Sequence, residues 1–186
     1  MPTIVAIAGS VRTRSFNQML LRAAIELAPA GTTIEPASIK DVPLYDGDLE
    51  ATHGVPAAVE ALKQRIAGAD GLLLVTPEYN NSLPGVFKNA IDWTSRPSSD
   101  IARVYGGKPV GMIGATPGPG GTGLAQAAWL PVLRTLGTAP FFGPRVQVAN
   151  AGKVFDEHGA LTDDAVRKQL TTYLTAFAQF VTRLHG

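Results

Sequence analysis

The strongest constraint on the fold is a set of short, wholly apolar runs, each stopped by a turn and followed by helical spacing. Ile4 to Ala8, Leu72 to Val75 and Pro109 to Ala115 carry no charge and show no apolar/polar alternation. A strand with one face in water alternates, so runs like these suit strands covered on both faces, the interior of a parallel sheet. They end at Gly9-Ser10, Thr76-Pro77 and Thr116-Pro117. Strands alternating with helices imply right-handed crossovers, with helices on both faces of the sheet.

The intervening segments fill in the order. Ser15 with Gln18 forms a capping-box pattern, and Phe16, Met19, Leu20, Ala23, Ala24 and Leu27 keep helical spacing until Pro29-Ala30-Gly31. Thr33 to Ser38 reads as a strand, and Pro36, which cannot donate to a ladder, sends it to a sheet edge. Lys40 to Gly54 reads as a polar loop. Val55, Val59, Leu62 and Ile66 mark a helix that leads through Gly68 to Gly71 into the Leu72 run. Pro84 suits a first helical turn, with Ser82 as its cap and Phe87, Ala90 and Ile91 as its buried face. A helix over roughly Leu124 to Leu136 contains Pro131, which is expected to kink or restart it. Val146 to Ala149 is β-branched enough for a last strand. From Thr162, with Asp163 and Asp164 at the positive end of the dipole, Val166, Leu170, Tyr173, Leu174, Phe177, Val181 and Leu184 trace a long amphipathic helix.

Five strands are therefore expected. With the proline-bearing strand at the edge the order is 2-1-3-4-5, a doubly wound sheet whose crevice opens at the carboxyl ends of strands one and three. The 186 residues suit a single domain over 1–186, without repeat or linker. Function then rests on the loops after Gly9, Thr76 and Thr116.

Composition narrows the ligand. Sixteen Lys plus Arg against fifteen Asp plus Glu leave no long-range field to recommend nucleic acid or an anionic membrane. No apolar run approaches the ~20 residues of a membrane span. The absence of cysteine removes disulfides, thiolate nucleophiles and most structural zinc sites. Met1 to Val5 lacks the basic stretch of a signal peptide, so a cytoplasmic location is expected. A small-molecule partner fits best.

In the first loop, Gly9-Ser10-x-Arg12-x-x-Ser15-x-Asn17 offers hydroxyls, an amide, a guanidinium and a helix N-terminus after a glycine turn, the donor set a terminal phosphate wants. The competing reading is a helix cap beside two solvated arginines, which accounts for Ser15 alone. No Gly-Lys-Ser/Thr follows, so this is not a P-loop.

The second loop reads Thr76-Pro77-Glu78-Tyr79-Asn80-x-Ser82-x-Pro84-Gly85-x-x-Lys88-Asn89-Ala90-Ile91-Asp92-Trp93. Together with the first motif, this resembles the NADPH-dependent FMN reductase family, a flavodoxin-like group that includes quinone, chromate and azo-dye reductases. The resemblance implies non-covalent FMN with its phosphate at Ser10, Arg12, Ser15 and Asn17 and with Phe16 beside it. It also implies Pro77, Glu78, Tyr79, Asn80 and Asn81 along the isoalloxazine ring, Thr116 in contact with the flavin, Gly118 close by, and assembly as a homodimer or homotetramer. NADPH or NADH would be the co-substrate. A flavin ring, apolar at one end and rich in acceptors at the other, suits a loop offering an aromatic, amides and exposed backbone. Glu78 is expected to position the loop, since hydride transfer between nicotinamide and flavin needs no enzyme base. Lys88 and Asp92, four apart on a helix, are expected to form a surface ion pair.

In the third loop, Gly118-x-Gly120-x-x-Gly123 matches a dinucleotide fingerprint, but it does not open the first βαβ unit, and Gly137 to Gln147 holds no acidic ribose ligand. Its glycines are read instead as allowing close approach to a planar ligand. His53, His158 and His185 share no metal-like spacing, so no metal is assigned. Trp93, Trp129 and Tyr105 fit either a core or a subunit interface. Two functions remain: a flavin oxidoreductase, or a flavodoxin-type carrier exchanging single electrons with proteins. A near-neutral charge and Arg12 in the phosphate loop favour the oxidoreductase, because such carriers are typically acidic.

Overall fold

A computed structural model of the chain describes residues 1–185, the side chain of His185 excepted; His185 as a possible metal ligand therefore lies outside the described residues. The elements run β1 (Thr3–Ala8), α1 (Phe16–Glu26), β2 (Thr33–Ala37), α2 (Gly47–His53), α3 (Ala57–Gly68), β3 (Gly71–Val75), α4 (Gly85–Thr94), α5 (Ile101–Tyr105), β4 (Pro109–Ala115), α6 (Gly123–Thr135), β5 (Ala139–Pro140), β6 (Gln147–Val148) and α7 (Asp164–His185). The sheet is parallel in the order β2-β1-β3-β4-β5, with β6 also paired to β4. This is a flavodoxin-like arrangement.

The apolar runs bury as their lack of alternation requires. Ala6, Leu73 and Ile113 face α1 and α7, while Val5, Ile7, Leu72, Leu74 and Val110 face α3, α4, α5 and α6. Each β3 residue is fully buried. Pro36 sits in the edge strand β2, opposite Ala6.

Five expectations change. The stretch expected as a loop from Lys40 to Gly54 contains α2. Asp46 caps it, its Oδ1 accepting from the Asp48 N–H at 2.9 Å. No α2 residue is buried, so there was no apolar stripe to read. Gln18 does not complete a capping box: its Nε2 donates to the Ser10 carbonyl, and Ser15 alone caps α1. Ser82 does not cap α4; it pairs with Tyr79, and Pro84 stands at the cap. The last strand is two fragments, β5 and β6, separated by residues 141–146, and α6 runs through Pro131 without restarting. Trp93, Trp129 and Tyr105 are all fully buried within the chain, which decides for the core. Asp163 caps α7, its Oδ1 accepting from the Val166 N–H at 2.9 Å.

A buried cation joins α3 to α5. The Lys63 ammonium lies 2.7 Å from Asp100 and 3.1 Å from Glu60, and Arg103 holds Asp100 at 2.9 Å. Arg103 first and Lys63 second keep the Asp100 carboxyl far below its ordinary 3.8, and the Gln64 amide followed by Lys63 lowers Glu60 from 4.5. Carboxyls depressed in the folded state stabilise it above their unfolded pKa values, and that contribution goes as pH falls below them. Thermal melts are expected to hold steady from pH 7 to about 5 and to decline below about 4; a midpoint unchanged at pH 3 would refute the linkage.

Candidate functional site

Three crossings end side by side, because Gly9 N–H donates to Val75 O and Thr76 N–H to Ile113 O, at 2.9 and 2.8 Å. The loops leaving β1, β3 and β4 therefore share one rim. Gly9 is not a left-handed turn. A Cβ there would overlap the Phe87 ring, so glycine is required because α4 packs against the strand end.

In the first loop Ser10 and Ser15 are buried. Ser10 Oγ accepts from Arg12 N–H at 3.4 Å and Ser15 Oγ from Asn17 N–H at 3.2 Å. Because both hydroxyls are used as acceptors, their O–H protons are left to donate. The backbone N–H groups of Ser10, Val11, Thr13 and Arg14 have no partner among the described residues. The Arg12 guanidinium lies 5.9 Å from the Phe16 ring centroid, and it enters no ion pair among the described residues. Asn17 behaves differently. Its Nδ2 donates to Ala115 O at 2.8 Å and its Oδ1 accepts from Ala115 N–H at 2.9 Å, so it fastens the start of α1 to the end of β4.

The second loop is a tight hairpin. Asn80 and Asn81 have φ of 50° and 59°, two successive left-handed residues as in a type I′ turn, and Tyr79 and Ser82 exchange both backbone hydrogen bonds at 3.0 Å. Thr76 braces it from beneath: its Oγ1 donates to Pro77 O at 2.9 Å and accepts from the buried Trp129 indole N–H at 3.1 Å. Glu78 Oε2 accepts from Ala125 N–H at 3.0 Å, a carboxylate at the positive end of α6, so the side chain ties the second loop to the third. Lys88 and Asp92 pair at 2.7 Å, both partly exposed.

The third loop is held by Thr116 N–H to Val148 O and by Asn150 N–H to Gly118 O, both at 2.9 Å. Its fingerprint glycines meet nothing that would require them. A Cβ at Gly120 would touch nothing, at Gly118 only Thr116 Oγ1 at 4.0 Å, and the left-handed residue is Gly121, at a position the motif leaves unspecified. No group of three or more His, Cys, Asp or Glu suited to a metal occurs among the described residues.

These loops enclose a cavity of about 220 Å3. Nine of the twelve residues singled out from the sequence line it: Ser10, Arg12, Ser15, Phe16, Asn17, Pro77, Glu78, Tyr79 and Thr116. Asn80, Asn81 and Gly118 do not, the first two forming the hairpin tip. Sequence reasoning missed Ala115 and Pro117 in the lining and Thr76 with Trp129 beneath it. Ala115 and Pro117 flank Thr116, so their place at the end of an apolar run was the available signal; nothing in the sequence announced the Trp129 contact.

The sequence profile of the family described as NADPH-dependent FMN reductase matches residues 2–153. The chain belongs to this family. It is 42% identical over 183 residues to an NAD(P)H-dependent FMN reductase of Pseudomonas aeruginosa, covering 98% of this chain and 97% of that one. It is 39% identical to a 2-hydroxy-1,4-benzoquinone reductase of Burkholderia, covering 96% and 95%. Among solved structures, the flavoenzyme NAD(P)H:(acceptor) oxidoreductase FerB of Paracoccus denitrificans superposes with a TM-score of 0.87 at 34% identity, covering 98% of each chain. As a member of the FMN reductase family the chain is an oxidoreductase, and the family implies FMN and NAD(P)H. The residues present fit FMN's phosphate: the cradle has hydroxyl and backbone donors without acceptors, and a cation without a counter-ion.

Proposed function

We propose that the chain holds FMN non-covalently in this cavity and passes reducing equivalents from NADPH or NADH to a small oxidised acceptor in ping-pong order. The reading is carried by the uncommitted donors at one helix N-terminus: the Ser10 and Ser15 hydroxyls, the Arg12 guanidinium and the backbone N–H groups of Ser10, Val11, Thr13 and Arg14. An anionic phosphoryl group answers that set, whereas a neutral ligand does not. Quinones stand first among acceptors because of the Burkholderia relative's named substrate; azo compounds, metal oxyanions and free flavin follow.

When bound, FMN supplies the redox chemistry, accepting a hydride from the pyridine nucleotide and yielding it to the acceptor. The chain binds and orients. Ser10, Arg12 and Ser15 hold the phosphate, while Asn17 keeps the cradle's far wall in register through Ala115. The hairpin from Pro77 to Ser82, braced by Thr76 and Trp129, offers a fixed backbone wall for a flat ring, with Tyr79 at its rim. Glu78 positions: its carboxylate is committed to the first turn of α6, so it is not asked to move a proton.

Purified protein is expected to show a flavin spectrum that NADPH bleaches without oxygen. Flavin that stays oxidised under NADPH would favour the electron carrier. Arg12→Ala is expected to weaken FMN binding more than tenfold, about 1.4 kcal/mol or more for a lost charge-assisted contact. Equal affinity in a fluorescence titration would remove the phosphate assignment.

A further inference from the structure

The stretch between β2 and α2 is held more firmly than an exposed loop needs. Pro43 O accepts from the Trp93 indole N–H at 3.0 Å and from Asn89 Nδ2 at 2.8 Å, while Asn89 Oδ1 accepts from Tyr45 N–H at 2.8 Å. The Tyr45 and Trp93 rings meet edge to face with centroids 4.9 Å apart, and the Tyr45 hydroxyl donates to Glu50 at 2.9 Å. Arg96 holds that same carboxylate at 2.9 Å. Between the two clamped residues stands Leu44, 83% exposed. A single exposed leucine on a loose loop calls for no explanation. Here the backbone is fixed on both sides of it, so the ordering cost is met before any partner arrives, as in a preorganised binding anchor.

The opposite flank of α4 carries a groove of about 350 Å3. Ile91 of α4 and Leu136 form its floor, and Ile101 of α5 and Val132 of α6 its half-buried walls. Lys88 and Asp92 stand at the lip and pair with each other at 2.7 Å, so the opening presents no unbalanced charge. At roughly 30 Å3 per water the groove would hold about a dozen waters, which is room for a leucine and part of the loop that carries it. Beyond the groove, α6 continues as an uncharged surface. No residue from Gly123 to Leu133 is ionisable, and Leu124, Ala127 and Pro131, recurring at helical spacing, are exposed. A helix left facing water has a polar outer side, whereas one apolar all round is covered.

We infer that a second copy of this chain covers this face, with Leu44 of each copy seated in the groove of the other. The placement of knob and groove on one molecule selects that occupant. Asn89 and Trp93, four apart, hold the knob on one flank of α4, while Lys88, Ile91, Asp92 and Ser95 line the groove along the other flank at the same height. A twofold axis running alongside α4 sets each knob flank against the partner's groove flank, so a single contact is made twice and the assembly closes. An axis across the helix would set knob against knob. The inference does not rest on the cofactor reading, and the test uses protein saturated with FMN.

Sedimentation of that holoprotein is expected to give a dimer or a multiple of one. Leu44→Asp would carry an unpaired charge into the apolar groove, so it should raise the dimer dissociation constant about a hundredfold or more while leaving the circular dichroism of the fold unchanged. Thr135→Arg, which obstructs the groove from an exposed position on α6, should do the same. The chain has no cysteine, so introduced thiols read the contact directly. Leu44→Cys combined with Thr135→Cys should form a disulfide on mild oxidation with diamide. Because α4 lies between these positions within one chain, that bond joins two copies. Leu44→Cys alone should stay uncrosslinked. A holoprotein that sediments as a monomer at micromolar concentration would overturn the inference. So would a dimer whose affinity neither Leu44→Asp nor Thr135→Arg alters, or a Leu44→Cys variant that crosslinks to itself as readily as the pair.

Discussion

Asn17→Leu is expected to cost about 2–5 kcal/mol of stability and to lower FMN affinity at the same time. The leucine keeps the branched shape, with bulkier methyl ends, but strands both the N–H and the C=O of Ala115, which Asn17 satisfies at 2.9 and 2.8 Å inside the protein. A buried backbone group deprived of its partner costs roughly 1–3 kcal/mol, and here there are two. For a chain of this length that is a fall in melting temperature of about 5–15 °C. The cofactor effect follows from position. Ala115 and Thr116 line the cavity opposite Ser10 and Ser15, so loosening the clamp lets the third loop drift from the first. Asn17→Asp separates the two effects. It keeps an acceptor for Ala115 N–H but sets carboxylate oxygens against Ala115 C=O, and it adds a negative charge to the proposed phosphate cradle. FMN affinity should therefore fall further in Asn17→Asp than in Asn17→Leu. Better retention by the aspartate variant would leave the clamp intact as a structural device and remove the phosphate from this loop.

The clamp also shows what a sequence can and cannot disclose. Asn17 belongs to a legible pattern, Ser-x-Arg-x-x-Ser-x-Asn ahead of a helix, and the pattern led to the correct cavity. What the side chain does there depends on Ala115, ninety-eight positions away, and no local spacing encodes that pairing. The same division runs through the fold. β1, β3 and β4 were readable because a strand covered on both faces must be apolar at every position, and their order followed from one proline at an edge. α2 was not, because a helix that buries nothing has no stripe; its signals were Asp46 as cap and Gly54 at φ 76° as stop, both inside a stretch of turn-forming residues. The break in the last strand was equally silent, since a two-residue strand carries no periodicity. The Asn80-Asn81 pair could have been read as a type I′ turn, because asparagine is, after glycine, the residue that accepts successive positive φ angles.

Glycines give the sharpest contrast between motif and cause, and the second large effect is expected at Gly114. Gly114→Ala should destabilise the protein by about 3 kcal/mol or more, the upper end of what overpacking usually costs, and reduce soluble yield. A Cβ there would overlap the Thr76 carbonyl and lie 2.5 Å from Thr122 Oγ1. Neither neighbour can step aside. Thr76 is pinned by its N–H bond to Ile113 O at 2.8 Å and by the Trp129 indole, and Thr122 is fully buried beneath Gln126. Relief must come from moving β4 away from β3, at the point where both loops leave for the cofactor cavity, so flavin retention should fall along with stability. Gly118→Ala and Gly120→Ala, in the loop that spells a dinucleotide fingerprint, should lie within about 0.5 kcal/mol of the parent and leave the KM for NADPH unmoved, since a Cβ at either position meets open space or ordinary contact. Denaturant melts of the three variants read the difference directly. If Gly120→Ala raised the KM for NADPH sharply while Gly114→Ala melted like the parent, the nucleotide would belong to the glycine-rich loop, and the packing at the β3–β4 exit would not be what makes Gly114 a glycine.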